Sequence, residues 1–144
     1  NIYKVEISDE LFPTIRIAPK NSNSFATVVT HGGVVTKVID SLIPIFQNFE
    51  RFIEVIIPSQ IFPININPII DSIQNTKRLV TVEEGSDYSG FGSEIISQIS
   101  ESNTKLKSFK RVGKLEVPIA SVPNIENHVL PSSKRIINTI GKMK

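Results

Sequence analysis

Apolar positions along the chain follow two rhythms. Phe25–Thr30 (FATVVT), Phe52–Ile57 (FIEVII) and Leu79–Glu83 (LVTVE) are short, nearly continuous apolar runs, and Phe109–Val112 is a weaker fourth. Such runs predict strands covered on both faces, as in a parallel sheet. Between them the spacing becomes helical. Val35, Val38, Ile39, Leu42 and Phe46 recur at i, i+3 and i+4, with Pro44 predicted to kink or end that helix. Asn67–Pro68 reads as an N-cap and first-turn pair ahead of Ile69, Ile70 and Ile73. Glu94–Ser100 carries Ile95, Ile96 and Ile99 on one stripe. Pro131–Ser133 opens a last helix with Ile136, Ile137 and Ile140, closed by Gly141.

Strand and helix therefore alternate from Phe25 to the C-terminus, the pattern of an α/β doubly wound sheet. Residues 1–24 are polar and mixed, and Asn21–Ser24 (NSNS) reads as a linker into a domain over 25–144. The chain of 144 residues holds 24 Ile and 13 Val against 6 Leu, a β-branched excess that strengthens the strand assignments. Asn1 at the start and Met143 as the sole methionine point to a piece of a longer chain.

Charge and composition mainly exclude. The net charge is +2 and the basic residues are dispersed, so neither a nucleic-acid footprint nor a strongly charged tail is present. Lys105, Lys107, Lys110, Arg111 and Lys114 form a mild basic run with only Phe109 interleaved, the pattern of a solvated edge. With no Cys and only His31 and His128, disulfides, thiolate chemistry and cysteine-based or all-histidine metal sites are out. No apolar stretch approaches the roughly twenty residues of a membrane helix.

Ligands of open α/β sheets collect at the carboxyl ends of the strands. Here those ends are Thr30–His31–Gly32–Gly33, then Glu83–Glu84, then Gly85–Gly92 (GSDYSGFG). Amides at His31–Gly33 offer an anion pocket, although a glycine pair in such a turn more often serves the backbone angles. Glu83 and Glu84 point to opposite faces of a strand, so they predict one solvated carboxylate and one bonded to a neighbouring amide, not an acid–base pair. The glycine loop lacks both the dinucleotide spacing and a P-loop G-K-[ST]. No nucleophile–base pair assembles from these residues. His31, Gly32, Glu84, Asp87, Tyr88, Gly90, Phe91 and Gly92 are instead expected to face another domain or subunit, with Phe91 as the apolar anchor.

An ordered series of motifs resembles a known family. Arg78–Glu84 (RLVTVEE) followed by Gly90–Ile95 (GFGSEI) is similar to the third strand and next helix of the transketolase-like C-terminal domain. The version it resembles most is the beta subunit of the decarboxylating component of 2-oxoacid dehydrogenase complexes. Thr27–Gly32 (TVVTHG) resembles that family's first strand and turn. Glu54–Ile56 with the later Pro63 resembles its second strand and loop. Arg111–Val112, Val117–Pro118, and Glu126, Leu130 and Pro131 follow its tail. The chain departs from the pattern at Ile57–Pro58–Ser59, at Asn65 and at Ala120, which keeps a divergent transketolase open as an alternative.

The resemblance implies a three-layer α/β/α sandwich with a mostly parallel sheet of about five strands. It implies a parent enzyme that uses thiamine diphosphate and magnesium to decarboxylate a 2-oxo acid, in the cytoplasm or the mitochondrial matrix. The cofactor would be held by domains outside these residues, so this domain would bind none and catalyse nothing by itself. Its expected partners are the pyrimidine-binding domain of the same chain, an alpha subunit and the dihydrolipoyl acyltransferase, in a dimer or heterotetramer. The reading from another class is a free-standing α/β module with its anion pocket at His31–Gly33.

Overall fold

A computed structural model describes residues 2–119 and 121–144; Asn1 and the departure at Ala120 lie outside them. The chain runs β1 (Tyr3–Ile7), β2 (Thr14–Pro19), β3 (Ala26–Thr30), a 3-10 turn (Gly32–Val34) and α1 (Val35–Phe49). It continues through β4 (Ile53–Pro58), α2 (Asn67–Thr76), β5 (Arg78–Ser86), α3 (Phe91–Glu101) and β6 (Ser108–Lys114) to α4 (Pro123–Val129) and α5 (Ser133–Gly141). One sheet of order β1-β2-β4-β3-β5-β6 forms the middle layer. From β4 to β6 the strands are parallel, with Val28 level with both Val55 and Val80; β1 and β2 are antiparallel additions at one edge.

Strand alternation sorts the core into two layers. Val28, Val55, Val80 and Val82 pack against Val38, Leu42 and Ile45 of α1 and Ile136 and Ile140 of α5. On the other face Val29, Ile56 and Leu79 pack against Ile69 and Ile73 of α2 and Ile95 and Ile99 of α3. The three-layer α/β/α sandwich is thus the observed fold.

Among the described residues the sheet has six strands, against four read from the apolar runs and about five implied by the resemblance, and the two beyond those four come from the segment read as a linker. Residues 3–7 (YKVEI) and 14–19 (TIRIAP) form a hairpin on the edge of β4. Apolar and polar residues alternate along both, but β1 lies at the sheet edge with every residue after Tyr3 exposed, and that polar, mixed run is what resembled a linker. α1 also runs on past Pro44 to Phe49 instead of stopping there. The carbonyl that Pro44 leaves unbonded is that of Asp40, an exposed residue that water can solvate. Asn67 lies inside α2, not at its cap; Asn65 supplies the local bond, its Oδ1 accepting from the Asn67 N–H at 3.2 Å. Gly141 is the last residue of α5, not a cap beyond it, and a Cβ there would collide with the Phe49 ring.

Two arginines fasten the C-terminus. Arg51 donates to the carbonyls of Ile140 (2.8 Å), Gly141 and Met143 while lying 4.0 Å over the Phe25 ring. Arg78 stacks on the same ring and donates to the Lys144 carbonyl.

Candidate functional site: the carboxyl edge at the strand switch point

From β3 the chain moves to β4 on one side, and from β5 to β6 on the other. The crossovers diverge between the carboxyl ends of β3 and β5, so helix dipoles and loops converge there. The residues picked from the sequence do lie along this edge, but on different sides of it.

On the α3 side stand Glu83, His31, Gly90, Phe91 and Gly92. Glu83 is only 3% exposed, and its two carboxylate oxygens accept from the N–H groups of Phe91 (2.9 Å) and Gly92 (2.8 Å). A carboxylate there satisfies two amides that a helix start leaves unbonded and opposes the positive end of the helix dipole. The bonded member of the Glu83–Glu84 pair is therefore Glu83, a choice that alternation left open, and Glu84 is exposed. Gly90 and Gly92 are glycines for space. A Cβ on Gly90 would overlap the Ser86 carbonyl oxygen, and one on Gly92 would overlap Thr81 Oγ1. Phe91 turns inward, against the α2/α3 core and edge-on to His31, with ring centroids 4.6 Å apart. It is thus a packing residue of its own domain. His31 Nε2 is buried and has no hydrogen-bond partner among the described residues.

On the α1 side, Gly32 has φ +66°, the left-handed geometry that glycine adopts freely, so the turn explains the glycine. A Cβ on Gly33 would sit 2.6 Å from Glu84 Oε1. Glu84, Gly33 and Lys37 line a cleft of about 290 Å³ with Asn127, Ser132 and Ser133. Toward β6, Tyr88 is 82% exposed and its N–H is held by Ser86 Oγ at 2.9 Å. The Asp87 carbonyl accepts from Arg111, which also donates to Ser93 Oγ at 3.0 Å. Lys114 donates to the carbonyls of Leu115 and Val117. The basic run is thus split between local structural bonds and solvent, with Lys105, Lys107 and Lys110 exposed.

The sequence reading missed the apolar surface along the same edge. Leu11 and Phe12 in the β1–β2 turn, Ile61 and Phe62 after β4, and Leu115 to Ile125 after β6 are all exposed at their large apolar residues. Their signal was present as apolar residues in loops, which periodicity does not register. Also missed was Glu54, buried at 4% exposure and paired with Arg16 Nε at 2.5 Å. That bond and the Glu6 carboxylate hold the Arg16 guanidinium above its ordinary pKa. Among the described residues no group of three His, Asp or Glu side chains is arranged to hold a metal, and no helix is long and apolar enough to cross a membrane.

Sheet order, layering and switch point define a doubly wound α/β domain. The model of the transketolase C-terminal domain matches residues 17–136, and the chain belongs to that family. The chain is 33% identical over 122 residues to the pyruvate dehydrogenase E1 component subunit beta of Rickettsia felis, covering 83% of this chain and 37% of that one. It is 28% identical over 149 residues to the mitochondrial counterpart from Dictyostelium discoideum, covering 98% of this chain and 42% of that one. The chain thus spans about two fifths of these relatives. Among solved structures, a split gene transketolase described as an inactive beta4 tetramer superposes with a TM-score of 0.72 at 20% identity, over 84% of this chain and 39% of that one; it supports the fold.

Proposed function

We propose that this chain is the C-terminal domain of a thiamine-diphosphate-dependent 2-oxoacid dehydrogenase beta subunit, and that it serves assembly and docking, not the chemical step. The observation that carries this reading is the carboxyl edge. It presents Tyr88, Phe62 (89% exposed) and Leu11 (89% exposed) to solvent, large side chains of the kind that an interface covers. The relatives are named as beta subunits of an E1 component, which supports a partner subunit. The partners in this reading are an alpha subunit, the preceding domain of the same chain and, in the complex, an acyltransferase. Such a parent works in the cytoplasm or the mitochondrial matrix.

Thiamine diphosphate with its magnesium does not fit the residues of this edge. The α3 amides that would receive a phosphate already hold Glu83, and the Gly33 turn has the Glu84 carboxylate beside it. Both carboxylates would repel a bare diphosphate, and with the Glu83 oxygens engaged by amides, no group of three metal-ligating side chains among the described residues is arranged to bridge magnesium to it. The same geometry opposes an anion pocket at His31–Gly33, the basis of the free-standing-module reading.

The test is Tyr88→Ser combined with Phe62→Ser in the full parent enzyme, with sedimentation velocity for assembly and turnover measured per assembled particle. The assembled fraction should fall before turnover of the assembled enzyme does. Full assembly with collapsed turnover would place this edge in catalysis and overturn the reading.

A further inference from the structure

We propose that β1 pairs with β1 of a second copy of this chain across a twofold axis at Val5, joining two six-stranded sheets into one. β1 is an end strand, and one of its backbone edges is open among the described residues. Its outward groups follow from its inward ones. The Ile2 carbonyl accepts from the Lys20 N–H at 3.0 Å, and the Ser8 N–H donates to the Thr14 carbonyl at 3.1 Å. Even-numbered positions therefore bond to β2, and Tyr3, Val5 and Ile7 turn their N–H and C=O groups outward.

Antiparallel pairing about Val5 sets Val5 against Val5 of the second copy and Tyr3 against Ile7. Each of these is an outward position, so every facing pair exchanges both backbone bonds. Lys4 then falls opposite Glu6 of the second copy, and Glu6 opposite its Lys4, in the non-hydrogen-bonded positions where side chains stand closest. Within one chain Lys4 and Glu6 already share a face, 2.8 Å apart. A twofold at Lys4 or at Glu6 would instead set like charges against each other, so charge selects the register centred on Val5. The opposite face is apolar: Val5 and Ile7 are 62% and 66% exposed beside Ile15 and Ile17 of β2, and the pairing would cover part of them. The contact is isologous, so it closes at two copies. It uses the β1 flank of the sheet and does not rest on the role assigned to the carboxyl edge.

The experiment is sedimentation velocity of this chain over a wide concentration range, with Lys4→Glu, Glu6→Lys and Val5→Pro variants. The unaltered chain should show a concentration-dependent monomer–dimer equilibrium. Each charge variant alone should dimerise roughly tenfold more weakly, because two cross-strand pairs turn from attractive to repulsive. An equimolar mixture of the two should recover dimer as a heterodimer, since the carboxylates of one then meet the ammonium groups of the other. Val5→Pro removes an outward N–H without breaking a bond to β2 and should abolish pairing while the monomer still melts cooperatively. A chain that stays monomeric throughout, a mixture that recovers nothing, or a dimer that survives Val5→Pro with the mixture unrecovered would overturn the proposal; pairing with a foreign extended peptide but not with itself would overturn it as well.

Discussion

At Gly90 and Gly92 the missing Cβ lets α3 begin directly against β5. Gly90→Val should destabilise the chain by about 1–3 kcal/mol, since the Ser86 carbonyl in its way is backbone and cannot swing aside. Gly92→Val should cost about as much, while Gly92→Ala should be relieved when combined with Thr81→Ala, which removes the obstructing hydroxyl. Denaturant melts of the single and double variants measure both; additive losses would show that the Thr81 contact is not the cause. Tyr3 gives a pH-dependent case. Burial pushes its phenol above the ordinary value of 10.0, with the Ile53 backbone opposing. The folded chain thus prefers the neutral phenol, and this contribution is intact below the unfolded pKa and lost as pH rises through the folded one. Tyr3→Phe should flatten the alkaline decline in stability, read from melting temperature against pH from neutral to strongly alkaline; an unchanged slope would assign that decline to other groups.

Among the elements, α1 carries the plainest conflict between local rule and outcome. Its apolar stripe, Val38, Leu42 and Ile45, is fully used by the sheet on either side of Pro44, so packing holds the helix together where the proline would break it. Pro44→Ala restores the bond to the Asp40 carbonyl and should raise stability by about 1–2 kcal/mol, less than the full proline penalty because alanine loosens the unfolded chain. Calorimetric melting checks this, and a lower melting temperature would mean that the ring's own packing outweighs the hydrogen bond. α5, by contrast, obeys the signal at its start: Ser132 caps it, with Oγ accepting from the Arg135 N–H at 3.3 Å.

For the whole molecule the expectation concerns the cofactor of its relatives' class. Titration of this chain with thiamine diphosphate and Mg²⁺ in a calorimeter should give no saturable heat, because carboxylates occupy or flank the helix starts that would receive the phosphates. Saturable binding at micromolar ligand would remove the support-domain reading.

How much of this was legible beforehand differs with the physics. Where burial on both faces dictates a continuous apolar run, as in Ala26–Thr30 and Ile53–Pro58, the strands could be read directly. The Glu83–Glu84 split followed from strand alternation alone, and the family followed from ordered motifs along the chain. The β1–β2 hairpin did not, because β1 is an edge strand exposed on both faces after Tyr3, so burial imposes little apolar pattern on it. Phe91 looked like an exposed anchor because its neighbours in sequence are polar; its neighbours in space, His31 and the α3 core, decide otherwise. The sequence by itself determined the class of fold, since periodicity and β-branched runs are local properties. Only the tertiary structure decided which side chains face out along the carboxyl edge and which groups of β1 remain open, because both depend on contacts between segments distant in the chain.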